Sequence, residues 1–340
     1  MLRVAINGFG RIGRNTFRAA FGNSRMKVVA INDLTSPDVL APLLQYDSVF
    51  RTWPHKVSSR AGAILVEGKA IPVWGEKDPM LLPWKKEKID VVVESTGFFT
   101  SAEKAKAHLA AGAKAVVITA PSEDVPTFLL GSNHDKLSKK DSVINMASCT
   151  TNSAAPVMAV LEEVFGIKKA MLSTAHSVTS GQNVVDGVPP GRKPDMRRAR
   201  SVLGNIIPTD TGAAHATAAA LPFLKGKFDG VSLRVPTPDV SLTTITALIG
   251  RKTTAEEINA AFEKAAKSAR WKGVLGVTDD PVVSSDFIGD ARASVVDLGM
   301  TRVVDGDLVS VMAWYDNEWG YSVQLVRMIE EVGRRVCRVS

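Results

Sequence analysis

A thiol and an imidazole, Cys149 and His176, are the residues of this chain best suited to covalent chemistry. Cys149 lies in Ser148-Cys149-Thr150-Thr151-Asn152, and His176 follows 27 residues later in Thr174-Ala175-His176. The apolar run from Ala154 to Val164 has helical spacing, and Ser148 is a good N-cap residue just before it. Cys149 is therefore expected at a helix N-terminus, where the helix dipole and a nearby imidazolium would both favour thiolate. At an ordinary pKa near 8.5 only about 3% of a thiol is ionised at pH 7, whereas a pKa near 6 would give about 90%. A lone cysteine is more often an inert core residue, so the motif needs a second feature beside it.

The amino terminus supplies one. Val4-Ala5-Ile6 reads as a buried strand, followed by Gly8-Phe9-Gly10-Arg11-Ile12-Gly13 and a helix-like stretch to Ala20. In this G-x-G-x-x-G pattern Gly8 permits a tight turn, Gly10 lets backbone approach a pyrophosphate, and Gly13 allows close helix–strand packing. Lys27 to Ile31 reads as the next strand, ending at Asn32-Asp33. Asp33 stands 20 residues after Gly13, where an acid accepts from ribose hydroxyls. An acid there repels a 2′-phosphate, which favours NAD over NADP.

The elements that position these residues follow from the rest of the pattern. Strand-like and helix-like runs alternate through the first 148 residues, as in a doubly wound parallel sheet. Ile89 to Glu94 reads as a buried strand ending in Ser95-Thr96-Gly97. Ala102 to Ala111 reads as a helix, and Ala115 to Thr119 as the strand after it. Thr96 and Thr119 thus fall at strand ends, where such sheets bind ligands. Beyond Cys149 longer alternating runs appear at Lys169–Thr174, Phe228–Pro236, Leu242–Ile249 and Leu308–Tyr315. They predict an α+β domain with a mainly antiparallel sheet and helices on one face. The loop from Ser180 to Arg200 is too long for a plain connector. A last amphipathic helix, from about Glu318 to Val336, is expected to fold back onto the first domain.

Composition narrows the class. At 340 residues two domains are expected. With no run of 18 apolar residues, no transmembrane helix is expected. With a strand this early, no signal peptide is expected. Two cysteines cannot form a disulfide scaffold, and no Cys/His cluster has zinc spacing, so no metal is expected and a reducing cytoplasm fits. The net charge is +7, but the densest basic cluster, Arg192 to Arg200, has no interleaved aromatic residue for base stacking. Nucleic acid is not expected as the primary partner, and phosphorylated small molecules explain the charge more simply.

Taken together, the motifs resemble the phosphorylating (type I) glyceraldehyde-3-phosphate dehydrogenases over essentially the whole chain. The stretches that carry the likeness are Asn7 to Arg14, Ser95 to Phe99, Ala147 to Asn152, Arg197 to Arg200, Ile206 to Ala214, Leu233 to Pro238 and Trp314 to Ser322. The resemblance implies a Rossmann-type NAD-binding domain, residues 1–148 completed by a C-terminal helix at 317–340, and a catalytic domain at 149–316. It implies a cytoplasmic homotetramer that oxidises glyceraldehyde 3-phosphate with NAD and inorganic phosphate. Cys149 would carry a thiohemiacetal and then a thioester, with His176 as general base. Thr179 and Arg234 would hold the substrate's own phosphate. Ser148, Thr150, Arg198, Thr211 and Gly212 would hold the attacking phosphate. Gly8, Gly10, Arg11, Ile12, Gly13, Asp33, Thr96 and Thr119 would contact the cofactor, Asn317 its carboxamide, and Tyr321 would lie beside the nicotinamide ring. Two phosphates need separate cationic sites, and arginine supplies forked donors for each.

The chain also departs from that family. Ser153 stands where a second cysteine is frequent, His215 where a lysine is, and Asp239 where asparagine is usual. The loop Gly187 to Pro194 is longer than the common bacterial form. Its Arg192 and Lys193 would offset Asp33 and make NADP possible. The nearest alternative activity is erythrose-4-phosphate dehydrogenase, which uses water as acyl acceptor. The attacking-phosphate set of Arg198, Thr211 and Gly212 argues against it.

Overall fold

The computed structural model describes residues 1–189 and 195–337. The chain divides into two units. The first comprises Met1–Leu129, Asn133–Ala147 and the residues from Ser322 onward. The second comprises Leu130–Ser132 and Ser148–Tyr321.

In the first unit, strands β1 (Leu2–Asn7), β2 (Met26–Asn32), β3 (Val57–Arg60), β4 (Ala63–Val66), β5 (Lys69–Trp74), β6 (Val91–Glu94), β7 (Ala115–Ile118) and β8 (Val143–Asn145) form one sheet. Their order is β3-β4-β5-β2-β1-β6-β7-β8. From β5 through β8 every neighbour is parallel. The central strands are continuous apolar runs, with Val91, Val92 and Val93 fully buried, as a sheet covered on both faces requires. Helices α1 (Arg11–Ala20), α2 (Pro37–Gln45) and α3 (Ala102–Ala110) belong to this unit. Strand order reverses between β1 and β6, so the carboxyl ends of those strands form the switch point where doubly wound sheets bind ligands. The antiparallel meander β3-β4-β5 at the edge was not anticipated. Its outer strand, Val-Ser-Ser-Arg, is four residues long and mostly exposed, so no apolar alternation marks it.

In the second unit the sheet order is β10-β11-β9-β12-β15-β14-β13. The strands are β9 (Ile167–His176), β10 (Ile207–Asp210), β11 (Phe228–Arg234), β12 (Ser241–Ile249), β13 (Leu275–Thr278), β14 (Ser294–Val304) and β15 (Leu308–Tyr315). Four pairings are antiparallel and two, β11 with β9 and β13 with β14, are parallel. The sheet is thus mainly antiparallel, as the alternating runs predict. Every second residue of β12 is buried, the mark of a sheet with one packed face. Helix α4 (Cys149–Phe165) covers that face, with every residue from Thr150 to Leu161 buried. Each fully buried Val, Leu or Met there contributes about 1.5–3 kcal/mol. Helices α5 (Ala213–Ala220) and α6 (Ala255–Lys267) complete the unit.

The last helix, α7 (Trp319–Val332), is shorter than its apolar pattern predicts. A wider π-type turn, Gly333–Cys337, replaces its expected final turn. A Cβ at Gly333 would press on the Leu2 side chain at 2.8 Å, so the chain there packs directly on β1. Among the described residues no helix is long and apolar enough to cross a membrane.

Candidate active site

At the end of β1, Gly8 takes φ 92°. A Cβ on Gly8 would lie 2.7 Å from the Thr96 backbone nitrogen, and one on Gly13 would collide with the Gly8 carbonyl oxygen. Both positions exclude a side chain, for the reasons the motif implied. Gly10 caps α1, so the positive end of that helix falls at Gly10, Arg11 and Ile12. The Arg11 guanidinium is paired with Asp47 and lies over the Phe50 ring. Asp33 directly follows β2 and is half-buried, its two oxygens accepting from the Phe9 N–H (2.7 Å) and the Thr35 N–H (2.8 Å). The acid is thereby locked to the glycine turn.

Thr96 and Thr119 are both held by Glu94, a residue the sequence reading did not single out. Glu94 Oε1 accepts from the Thr96 N–H and hydroxyl, and its carbonyl accepts from the Thr119 hydroxyl. Its Oε2 accepts from Asn7 Nδ2 and meets His108 Nε2 at 3.0 Å. Trp84 Nε1 donates to His108 Nδ1, so His108 Nε2 must carry the hydrogen that reaches Glu94. Glu94 and His108 are fully buried. Arg192 and Lys193, expected beside the cofactor, lie outside the described residues.

In the second unit, Ser148 caps α4 by accepting from the Thr151 N–H at 3.1 Å. Cys149 is the first helical residue. Its Sγ lies 3.5 Å from His176 Nε2. His176 ends β9, and the register of β9 with β11 sets Arg234 beside it. Tyr315, another residue not singled out, ties these elements together. Its hydroxyl bridges Thr150 Oγ1 and Thr174 Oγ1, each at 2.9 Å, and its ring meets His176 edge-on.

Opposing effects act on the pair. Cys149 is half-buried and His176 almost wholly buried. Burial pushes the thiol up, against the Arg234 charge and the α4 N-terminus, which pull it down. Burial and then Arg234 push the imidazole down. In the ligand-free pair, burial thus works against a thiolate beside an imidazolium, while the Arg234 charge works for the thiolate. Backbone N–H groups of Cys149 and Thr150 at the start of α4 favour the thiolate, and desolvation opposes it.

Two bonds compete for His176 Nδ1. Arg234 Nη1 lies 2.8 Å from it, and the Ser177 carbonyl oxygen also lies 2.8 Å away. A guanidinium only donates. Nδ1 either accepts from Arg234, which leaves hydrogen on Nε2, or donates to Ser177, which leaves the Nε2 lone pair facing Sγ. Among the described residues, the buried Arg234 Nε has no hydrogen-bond partner, so the side chain keeps a donor for an anion.

The other expected anion ligands are placed as follows. The Thr179 N–H and hydroxyl both donate to Gln182 Oε1. Arg198 reaches Asp195 at 3.7 Å, and its charge acts on both His176 and Arg234. Thr211 Oγ1 accepts from the Ala213 N–H at the start of α5, with Gly212 as the cap. The β10–β11 register pairs Ile207, not Thr211, with Arg234. Among the described residues no hydrogen bond joins Thr211 or Gly212 to the Cys149–His176 pair. Asn317 Oδ1 accepts from the hydroxyls of Ser177 and Ser241, each at 2.7 Å. Its amide orientation is thus fixed, with Oδ1 on the two hydroxyls and Nδ2 on the opposite side. Tyr321 is buried, and burial raises its phenol further from ionisation. Among the described residues no His/Cys/Asp/Glu cluster could hold a metal ion.

A doubly wound sheet with a glycine turn in one unit, and a thiol facing an imidazole in the other, define a class: nicotinamide-dependent dehydrogenases that work through a cysteine. Comparison with known proteins narrows the class. The domain family "Glyceraldehyde 3-phosphate dehydrogenase, NAD binding domain" matches residues 2–102, and "Glyceraldehyde 3-phosphate dehydrogenase, C-terminal domain" matches residues 148–317. Glyceraldehyde-3-phosphate dehydrogenase 1 of Bacillus subtilis is 48% identical over 337 residues, covering 98% of this chain and 99% of its own length. The Geobacillus stearothermophilus and Zymomonas mobilis glyceraldehyde-3-phosphate dehydrogenases are 49% and 48% identical, each covering 96% of both chains. The chain belongs to the glyceraldehyde-3-phosphate dehydrogenase family.

Proposed function

We infer that the protein oxidises glyceraldehyde 3-phosphate to 1,3-bisphosphoglycerate with NAD and inorganic phosphate, as a step of glycolysis or of its reversal. The observation that carries this reading is the Cys149 thiol at the N-terminus of α4, 3.5 Å from His176 Nε2, with Arg234 beside the imidazole.

The residues present fit NAD. Gly8 and Gly13 leave backbone where no Cβ can stand, Asp33 offers an acid at the end of β2, and Asn317 offers a fixed amide donor. Gly10, Arg11, Ile12, Thr96, Thr119 and Tyr321 are assigned to the same cofactor. When bound, NAD supplies the hydride acceptor. Cys149 Sγ attacks the aldehyde carbon as its proton passes to His176 Nε2 and on to the aldehyde oxygen, giving a hemithioacetal. Nε2 then takes the hydroxyl proton as the C–H hydride leaves, and a thioester remains on Sγ. A phosphate oxygen attacks that carbonyl, the C–S bond breaks, Sγ regains the proton from Nε2, and the phosphate's proton goes to solvent. Arg234 and Thr179 hold the substrate phosphate, while Arg198, Ser148, Thr150, Thr211 and Gly212 serve the attacking one. A substrate phosphate on Arg234 draws its guanidinium off Nδ1. Nδ1–H then bonds Ser177 and Nε2 becomes free to act as base.

The assembly proposed is a homotetramer. Val184, Val185, Val188, Leu203 and Ile206 are all more than 60% exposed along one segment, an apolar display that a second copy would cover. Both cysteines are free, which suits a reducing cytoplasm. Steady-state rates with NAD and NADP, each with and without phosphate, test the reading. Turnover that requires phosphate is expected, and phosphate-independent turnover would favour hydrolysis and the erythrose-4-phosphate activity.

A further inference from the structure

Asp239 lies in the loop from β11 to β12, 2% exposed, and neither carboxyl oxygen accepts a well-formed hydrogen bond. The next residue, Val240, is β-branched yet has φ 65°, so surrounding structure holds this loop in a costly conformation. The antiparallel register of β12 with β15 pairs Ser241 with Tyr315, which sets the Asp239–Val240 turn beside another carboxyl, Asp316, 1% exposed. Asp316 is well supplied with donors. Its Oδ1 accepts from the N–H groups of Glu318 (2.9 Å) and Trp319 (2.6 Å), and its Oδ2 from that of Gly289 (2.8 Å). Burial pushes the Asp316 carboxyl up, but its three backbone donors favour the charged form and make it the better acceptor of the pair. Asp239 has only the nearby Val240 N–H, and two buried carboxylates cannot face each other unpaired.

We propose that Asp239 is held as a carboxylic acid at neutral pH, donates its hydrogen to Asp316, and is a positioning residue for the turn that presents Asn317. The proton satisfies both groups at once, and it fixes Asp316, the neighbour of the residue whose amide is pinned by Ser177 and Ser241.

The charged surroundings support the assignment. On the turn, Asp316 and Glu318 face Asp239, and both oppose its ionisation. The segment that supplies the Gly289 N–H carries Asp286, which accepts from the Val283 N–H, and the Asp290–Arg292 ion pair. The loop's own residues, Val235 to Val240, include no other charge. Among the described residues no Lys, Arg or His forms an ion pair with Asp239 or Asp316. Burial, then Asp316, then Glu318 push the Asp239 carboxyl up to about 9, and the nearby Val240 N–H does not offset them.

The sign of the resulting pH dependence is fixed. The unfolded carboxyl titrates near 3.9, so between pH 4 and about 9 the native state holds one proton more than the unfolded state. Stability therefore falls as pH rises through that window and levels off above it. Asp239→Asn keeps an N–H donor for Asp316 and cannot ionise. Its folding equilibrium should gain on the wild type by about tenfold per pH unit across the window, so the gap in unfolding midpoint widens from pH 5 to pH 9. At neutral pH its NAD kcat/KM should match the wild type. Above pH 9 the wild type should fall by about tenfold per unit while the variant holds. In wild-type protein labelled with carboxyl-¹³C aspartate, one resonance should titrate only in the alkaline range. That measurement needs no variant, and neither it nor the unfolding series depends on the substrate reading. A gap in midpoint that stays constant from pH 5 to pH 9, or an aspartate set that titrates entirely in the acid range, would overturn the proposal.

Discussion

Replacing the Cys149 thiol by a hydroxyl removes the one soft nucleophile at the start of α4 while leaving the Gly8–Gly13 turn untouched. Cys149→Ser should abolish dehydrogenase activity and leave NAD binding, measured by calorimetry, within a few-fold of wild type. Wild-type turnover would remove Cys149 from the reaction. His176→Asn should lower kcat by roughly 10²–10⁴, the usual worth of a positioned general base. The two arginines should separate. Arg234→Leu should raise KM mainly for the aldehyde phosphate, and it alone should also lower kcat, because Arg234 bears on the His176 tautomer. Arg198→Leu should raise KM mainly for inorganic phosphate. Charge-assisted bonds are worth about 1.5–3 kcal/mol, so each KM effect should be roughly 10- to 150-fold. Identical effects of the two substitutions on both substrates would sink the assignment.

Among the elements, Tyr315 at the end of β15 does the joining, because its hydroxyl links α4 through Thr150 to β9 through Thr174. Tyr315→Phe should cost about 1–3 kcal/mol for two buried hydroxyls left short of a partner, read as a lower urea midpoint. It should also lower kcat by loosening Cys149 against His176, and an unchanged midpoint and rate would show that the strands hold the pair unaided. Much of this arrangement was legible in the sequence. The G-x-G-x-x-G turn, the capped start of α4 and the long alternating strands β9, β11, β12 and β15 are local patterns, and local patterns survive folding. What escaped was non-local. Edge strand β3 has no apolar alternation, and the hub role of Glu94 rests on Asn7, His108, Thr96 and Thr119, up to 87 residues away. The burial that opposes ionisation of Cys149 escaped for the same reason. Helix position can be read from sequence, but desolvation by distant segments cannot.

For the molecule as a whole, the sequence sets Asp33 against the loop cations Arg192 and Lys193 in the choice of cofactor. NAD should be preferred, and Asp33→Gly should narrow the gap in kcat/KM between NAD and NADP. A wild type already faster with NADP would show that the acid does not decide. The central claim is that one thiol carries the acyl group between oxidation and phosphate attack. Its most direct test is a rapid-quench experiment with enzyme, NAD and glyceraldehyde 3-phosphate, with phosphate withheld. One NADH should form per active subunit and the rate should then fall sharply, with mass spectrometry finding an acyl group on Cys149. Added phosphate should discharge the group as an acyl phosphate and restore turnover. Full-speed turnover without phosphate, or an enzyme that makes NADH with Cys149 unmodified at every time point, would contradict the account.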